Sequence, residues 1–456
     1  MKISIVNGTI VTGDGKTVLP ESSIVVEDVF ITQIHDTKYI PYNDSDRIID
    51  AQGGFIIPGL INHHSHEVAF GPNYHANSDS GPTFFGKHRW PITRIFGYLD
   101  KHLLDGATTL LSLDGLASVW EVEAMNKLHP INIRAATIHS EQNKENIRRH
   151  GGYIDDLHEN LTAEQMISIG AVAVGETAVP SSPYGLFEFY RAAGRPILID
   201  QAMRLASALF ERPGAPPLKP YDEQAVTEAV NEAGLEGVLT AAQARQVALD
   251  IEQQHEAAEL ALEESAEIGK KLGVPVVAHH SGENADVIAR IAGEMGPGLI
   301  AAHSNHMFTP DEGVARARHL KEHGVFVDIY SGDSFGVRQS TPTPETIFAL
   351  LEAGLVDLIS TDFLNGYWDP ILLTIEKAVE GGILDTASGI AKATGNVTKA
   401  IPRLAPNRGF LEAGKVADVV VTKPERLSEI KVVMISGRVV VEDGRIAPAR
   451  QAARNL

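Results

Sequence analysis

The alternation of hydrophobic and polar positions divides the chain into three textures. Near the N-terminal end, short β-rich runs at 3–6, 9–12, 23–26, 29–34 and 47–49 are separated by turn residues and predict the strands of a small sheet. The last fifty residues read the same way, with Asp418-Val419-Val420-Val421, a run at 431–435, a turn at Ser436-Gly437 and a run at 438–440. Chain ends commonly lie close together, so residues 1–57 and 408–456 are expected to form one composite β-sandwich domain.

The intervening stretch, 58–407, alternates continuous apolar runs with helix-period segments. Strands are expected at 56–62, 108–113, 133–138, 171–174, 274–278, 299–302, 325–329 and 358–360, and helices at 90–104, 286–292, 311–322 and 343–353. Eight such βα units predict an α/β chain folded as a (β/α)8 TIM barrel, with a doubly wound open sheet as the alternative. Two insertions exceed a minimal barrel. The first, at about 67–90, carries Phe70, Tyr74, Phe84, Phe85 and Trp90, which either line a substrate pocket or pack the loop down. The second, at about 182–255, is Pro-rich at 212–217 and then strongly helical, its Ala, Glu, Gln and Leu continuing through 243–271.

Chemistry concentrates where the apolar runs stop. The first barrel run, Ile56-Ile57-Pro58-Gly59-Leu60-Ile61-Asn62, ends in His63-His64-Ser65-His66, and period-two alternation puts His64 and His66 on one face and His63 on the other. Strand four ends at Glu176, strand five at His279 and His280, strand six at His303 and strand eight at Asp362. Singly, each has a bland reading as a hydrogen-bonded or capping residue. Together they would point into one barrel mouth, and four imidazoles with two carboxylates suit one or two divalent ions. His139, after strand three, and His306, just beyond strand six, are further candidates for contact with substrate, as is whichever of His279 and His280 is not a ligand.

Composition narrows the partners. The 456 residues are 43% hydrophobic, enough for a sizeable core, and 39 basic against 59 acidic residues give a net charge of −20. That balance argues against nucleic acid and anionic membrane surfaces. The absence of cysteine removes disulfides and thiolate ligands, so a metal must be held by His, Asp, Glu or a modified Lys. No signal-peptide core and no membrane-length apolar run is present, which makes a cytoplasmic location the default expectation.

The pattern Pro58-Gly59-Leu60-Ile61-Asn62-x-His64-x-His66, with the later Glu, His, His and Asp, resembles the amidohydrolase superfamily of metal-dependent barrel hydrolases. Ala393-Thr394-Gly395-Asn396 and Gly414-Lys415-Val416-Ala417-Asp418 extend the resemblance, while Val174-Gly175-Glu176 and the strand-five His followed by Ser281-Gly282 look most like its enamidase branch. The resemblance implies two divalent ions, zinc first and then iron, cobalt, nickel or manganese. It assigns His64, His66 and Asp362 to one ion, His279 and His303 to the other, and Glu176 as the bridge where many relatives use a carboxylated Lys. The family's strand-five spacing favours His279 over His280. Family members commonly have Asp in place of Asn62.

The implied reaction is hydrolysis of a C–N bond in a small-molecule cyclic or acyclic amide, carbamate or urea. A metal-bridging hydroxide attacks and Asp362 shuttles the proton. A heterocycle deaminase of the same superfamily is the alternative. Such relatives often use one metal and lack a strand-four carboxylate, so Glu176 weighs against it. A phosphotriesterase-like activity stays open, and a non-catalytic scaffold would be expected to have lost ligands that this chain keeps. The family's habits further imply a homo-oligomer.

Overall fold

The computed structural model describes residues 1–36, 44–70, 91–150, 152–177, 185–336, 344–362, 368–424 and 426–447, together with the backbone of two short strands at Asn77–Ser78 and Gly81–Pro82. Strands from both chain ends share one nine-stranded sheet. Its junction is the antiparallel pairing of Phe55–Pro58 with Val419–Lys423, where Ile57 faces Val420. Ile3, Ile5, Ile24, Val419, Val421 and Met434 pack in its interior. The runs expected at 3–6 and 9–12 are one strand, Lys2–Val11, with register irregularities around Gly8.

The run expected as one opening strand is two. Phe55–Pro58 belongs to the terminal sheet and Leu60–Ser65 to the barrel. Pro58 cannot donate to a ladder, and a Cβ on Gly59 would collide with the Thr108 side chain, so the chain changes sheet at this pair.

Eight parallel strands form the barrel in the order Leu60–Ser65, Ala107–Ser112, Asn132–Thr137, Ala173–Thr177, Val276–His279, Leu299–Ala302, Phe326–Tyr330 and Leu358–Ser360, numbered one to eight below. Main-chain ladders join each consecutive pair. Closure from strand eight to strand one runs through a side chain: Asn62 Oδ1 accepts the Thr361 N–H at 3.2 Å and its Nδ2 donates to Thr361 Oγ1 at 2.7 Å. Asn62 therefore serves as a two-point stitch that needs both an acceptor and a donor, a combination an ionised Asp lacks.

Alternate strand residues divide between two cores. Leu110, Val174, Ala301, Val327 and Ile329 pack outward with helix residues such as Leu320 and Ile347. Ile61, Leu111, Val277, Ile300 and Leu358 fill the interior with Val397, Ile401 and Leu404, which close one end of the barrel. Asn396 holds that closing segment by donating to the Asp357 carbonyl at 3.1 Å.

The second insertion is a helical lobe with its own core of Phe189, Leu205, Phe210, Val226, Leu235 and Ile251. Helix Ala241–Leu272 joins it to the barrel, contributing Ala244 and Val247 to the lobe and Leu262 and Ala266 to the barrel core. A reciprocal Thr240–Gln243 cap starts this helix and left-handed Gly273 stops it. Among the described residues, no helix is long and apolar enough to cross a membrane.

Candidate metal centre

Six side chains from five strand ends converge at the barrel mouth. Glu176 lies at their middle. Its Oε2 faces strand one, 3.4 Å from His64 Nε2 and 3.3 Å from His66 Nε2, while its Oε1 faces the other way, 2.8 Å from His279 Nδ1 and 2.9 Å from His303 Nε2. Asp362 Oδ1 is 3.5 Å from both His64 Nε2 and His66 Nε2. Three overlapping triads, His64–His66–Glu176, His64–His303–Asp362 and Glu176–His279–His303, each bring one donor atom per residue within 4.8 Å of the others.

The donor chemistry fits divalent ions. His64 and His66 turn Nε2 toward each other at 3.2 Å, an approach that costs free energy unless a proton or a cation lies between them. His66 donates Nδ1–H to the Leu113 carbonyl at 3.0 Å, which leaves an Nε2 lone pair for the cluster. Burial pushes the carboxyl groups of Glu176 and Asp362 up, yet the facing histidines more than reverse it. His64, His279 and His303 hold Glu176 well below its ordinary value, and His64 and His66 do the same for Asp362. Both groups are thus held as anions, the form a metal requires. Conversely, hydrogen bonds to the two carboxylates overcome burial and raise His66, and the bond to Glu176 does so for His303. Burial together with the neighbouring His303 lowers His279. Asp362 and His279 keep 16% and 15% of their side chains exposed while the other four keep 5% or less, so the cluster opens on their side.

Other candidates fall outside this cluster. His280 turns away, its Nδ1 2.9 Å from Ser304 Oγ, and burial lowers it to about 3. His139 engages Thr137 through Nδ1 and His158 through Nε2 in a buried group beside Glu121, so neither ring nitrogen reaches the centre. His306 does border the centre, with ring centroids 5.6 Å from His279 and 5.4 Å from His303, and Tyr330 Oη anchors its Nδ1 at 3.1 Å. Of the aromatic loop residues, Phe70 packs against the barrel core, and Tyr74, Phe84, Phe85 and Trp90 lie outside the described residues.

His63 departs from simple alternation. Across the ladder to strand two, Asn62 pairs with Leu110 but Ser65 with Ser112, so strand one carries an extra residue between them. That bulge lets His64 and His66 face the centre although Ile61, two residues before His63, already points inward. His63 is buried, 3.1 Å from Asp328 on strand seven. Asp114, at the end of strand two, was also beyond sequence reasoning. It accepts the successive amides of Glu67, Val68 and Ala69 and the Ser112 hydroxyl, fixing the chain just after His66.

No family model matches the chain. A 5-methylthioadenosine/S-adenosylhomocysteine deaminase of Bacillus cytotoxicus is 33% identical over 69 residues, 15% of this chain and 16% of that protein. The match thus spans about a sixth of the length of such curated relatives. Among solved structures, a β-aspartyl dipeptidase from Fervidobacterium islandicum AW-1 aligns with a TM-score of 0.57 at 15% identity, covering 98% of each chain. A protein described as an amidohydrolase aligns with a TM-score of 0.56 at 18% identity, covering 97% of this chain and 100% of its own. At 15% and 18% identity over nearly the whole chain, the likeness to these structures is one of fold.

Proposed function

We propose that the chain is a metal-dependent hydrolase of the amidohydrolase superfamily that cleaves a C–N bond in a small amide, cyclic amide, carbamate or urea. The observation carrying this reading is the division of Glu176, one oxygen toward His64 and His66 and the other toward His279 and His303. A carboxylate so divided suits two cations, with Asp362 added to the first set and zinc the ion these donors favour first. When bound, such ions supply Lewis acidity and make water nucleophilic near neutral pH.

The residues supply the rest. Asp362 is held anionic, partly exposed and within 3.5 Å of the His64 and His66 nitrogens, so its Oδ1 can take the proton of an attacking water and return it to the departing nitrogen. His66, its tautomer set by Leu113, and Asn62, tying strands one and eight, keep that carboxylate and the imidazoles in register. An enamidase-like cyclic amide is the substrate class to test first. The acidic balance argues against a nucleic-acid partner.

The deaminase reading is retained on one observation, the 69-residue match to a deaminase. Metal analysis of the purified protein with a panel of cyclic amides, N-acyl compounds, carbamates, ureas and aminated heterocycles separates the two. About two ions per chain with C–N hydrolysis is expected. One ion with ammonia released only from heterocycles would replace the leading reading.

A further inference from the structure

Beneath the converging ligand candidates, the barrel interior holds a second polar layer. Asp328 points into it, since its neighbours Val327 and Ile329 pack outward against the helices. Its Oδ2 accepts the His303 N–H at 2.9 Å and the Ser360 hydroxyl at 3.0 Å. Its main-chain carbonyl takes the next amide, from Ser304, at 2.7 Å. Asn305 completes the seam, donating to the Tyr330 carbonyl at 3.1 Å and accepting the Tyr330 N–H at 3.0 Å. Three successive residues after strand six are therefore tied to strand seven.

The seam has a task to perform. His303 has φ of 39°, in the left-handed region that non-glycine residues enter only when their surroundings compel it. On the far side of the carboxyl group, His63 Nε2 lies 3.1 Å from Asp328 Oδ1, off the line of a hydrogen bond, and both residues are fully buried. An imperfectly bonded polar pair is costly in an interior whose neighbours include Ile61, Ile300 and Leu358. Were volume the only requirement, an apolar pair would fill the space at lower cost.

We propose that Asp328, braced by His63 and Ser360, is the positioning residue for His303. It fixes the left-handed turn that aims His303 Nε2 at Glu176, 2.9 Å away. The proposal rests on reading His303 as a metal ligand. It gives the third histidine of the opening stretch a role distinct from ligation: His63 supports, across the barrel, a ligand that lies 240 residues further along the sequence.

The test compares the full-length protein with Asp328→Asn, Ser360→Ala and His63→Phe by zinc affinity in chelator competition, thermal midpoint of the metal-stripped form, kcat and KM. Asp328→Asn is expected to weaken one of two zinc ions by about ten-fold or more, as for other groups that orient a ligand. KM and the stripped midpoint should hold while kcat falls, with Ser360→Ala shifting zinc affinity the same way by less. Zinc affinity unchanged in folded Asp328→Asn, or lost only in proportion to stability, overturns the proposal. Should Asp328→Asn not fold, unchanged affinity in Ser360→Ala and His63→Phe overturns it instead. Zinc affinity is read without turnover, so a protein that binds two ions but hydrolyses no C–N bond sinks the proposed reaction and leaves this inference testable. A parent that takes up no divalent ion overturns both.

Discussion

The two ends of the barrel interior are built from the same strands and obey opposite rules. At the closed end, Ile61, Leu111, Val277, Ile300 and Leu358 meet Val397, Ile401 and Leu404 in an apolar cluster. At the open end, four of those strands finish in His64, His66, His279, His303 and Asp362, around Glu176 from strand four. Val277 and His279 are only two positions apart, and Ile300 and His303 only three. Burial of apolar area at about 25 cal/mol per Å² favours folding at the closed end. The open end spends part of that stabilisation by crowding imidazoles and carboxylates, a conflict that marks function.

Breaking the open end should change rate far more than stability. Asp362→Asn keeps the shape of the side chain but removes its capacity to take a proton, so kcat should fall by about 10² to 10⁴, with metal content and thermal midpoint close to the parent's. Undiminished turnover in the metal-loaded variant would take Asp362 out of proton transfer. Breaking the closed end should invert the pattern. Ile300→Ala leaves a cavity among fully buried residues and should cost about 2 to 5 kcal/mol of stability, while kcat per folded molecule stays put. A kcat loss at full folding would mean that the two ends are mechanically coupled.

His306 tests the rim between them. With Nδ1 on Tyr330 and its ring beside His279 and His303, it is placed to meet a substrate without holding the ions. Loss of one hydrogen bond of roughly 1 kcal/mol in His306→Phe should raise KM about five-fold at constant zinc content. A fall in zinc content at unchanged KM would reassign His306 to the ligand set.

The same contrast explains what could be read from the sequence. An apolar run that ends in His, Glu or Asp is a local signal, so the strand ends and the residues at the mouth were legible one segment at a time. What required the fold were contacts between distant segments. Ser304, from another strand end, takes His280 and so separates it from His279. The bulge between Asn62 and Ser65 shows in a ladder to strand two and leaves no mark in the hydrophobic pattern. Asp328 and Asp114 act on main-chain amides 25 and about 46 residues away, which no residue pattern records. Pro58-Gly59 did carry a visible break, yet the unbroken apolar character of 56–61 outweighed it and one strand was expected where two exist.

A buried carboxylate elsewhere supplies the smallest and sharpest contrast. Glu121, beside strand three, accepts the Ser118 amide at 2.9 Å and its hydroxyl at 2.7 Å, and lies 3.5 Å from His158 Nε2. Burial pushes its carboxyl group up, but hydrogen bonding to His158 and Ser118 overcomes that and holds it at about 2, against 4.5 ordinarily. Its folded pKa is thus below the unfolded one, so its stabilisation is complete above pH 4.5 and lost as pH falls toward 2. Glu121→Gln in metal-stripped protein should therefore lower the urea midpoint near neutrality and flatten its decline between those two values. Superimposable acid limbs for parent and variant would show that Glu121 titrates alike in both states. The acid limb would then have to come from other carboxylates held below their ordinary values, those at the barrel mouth and Asp14 among them.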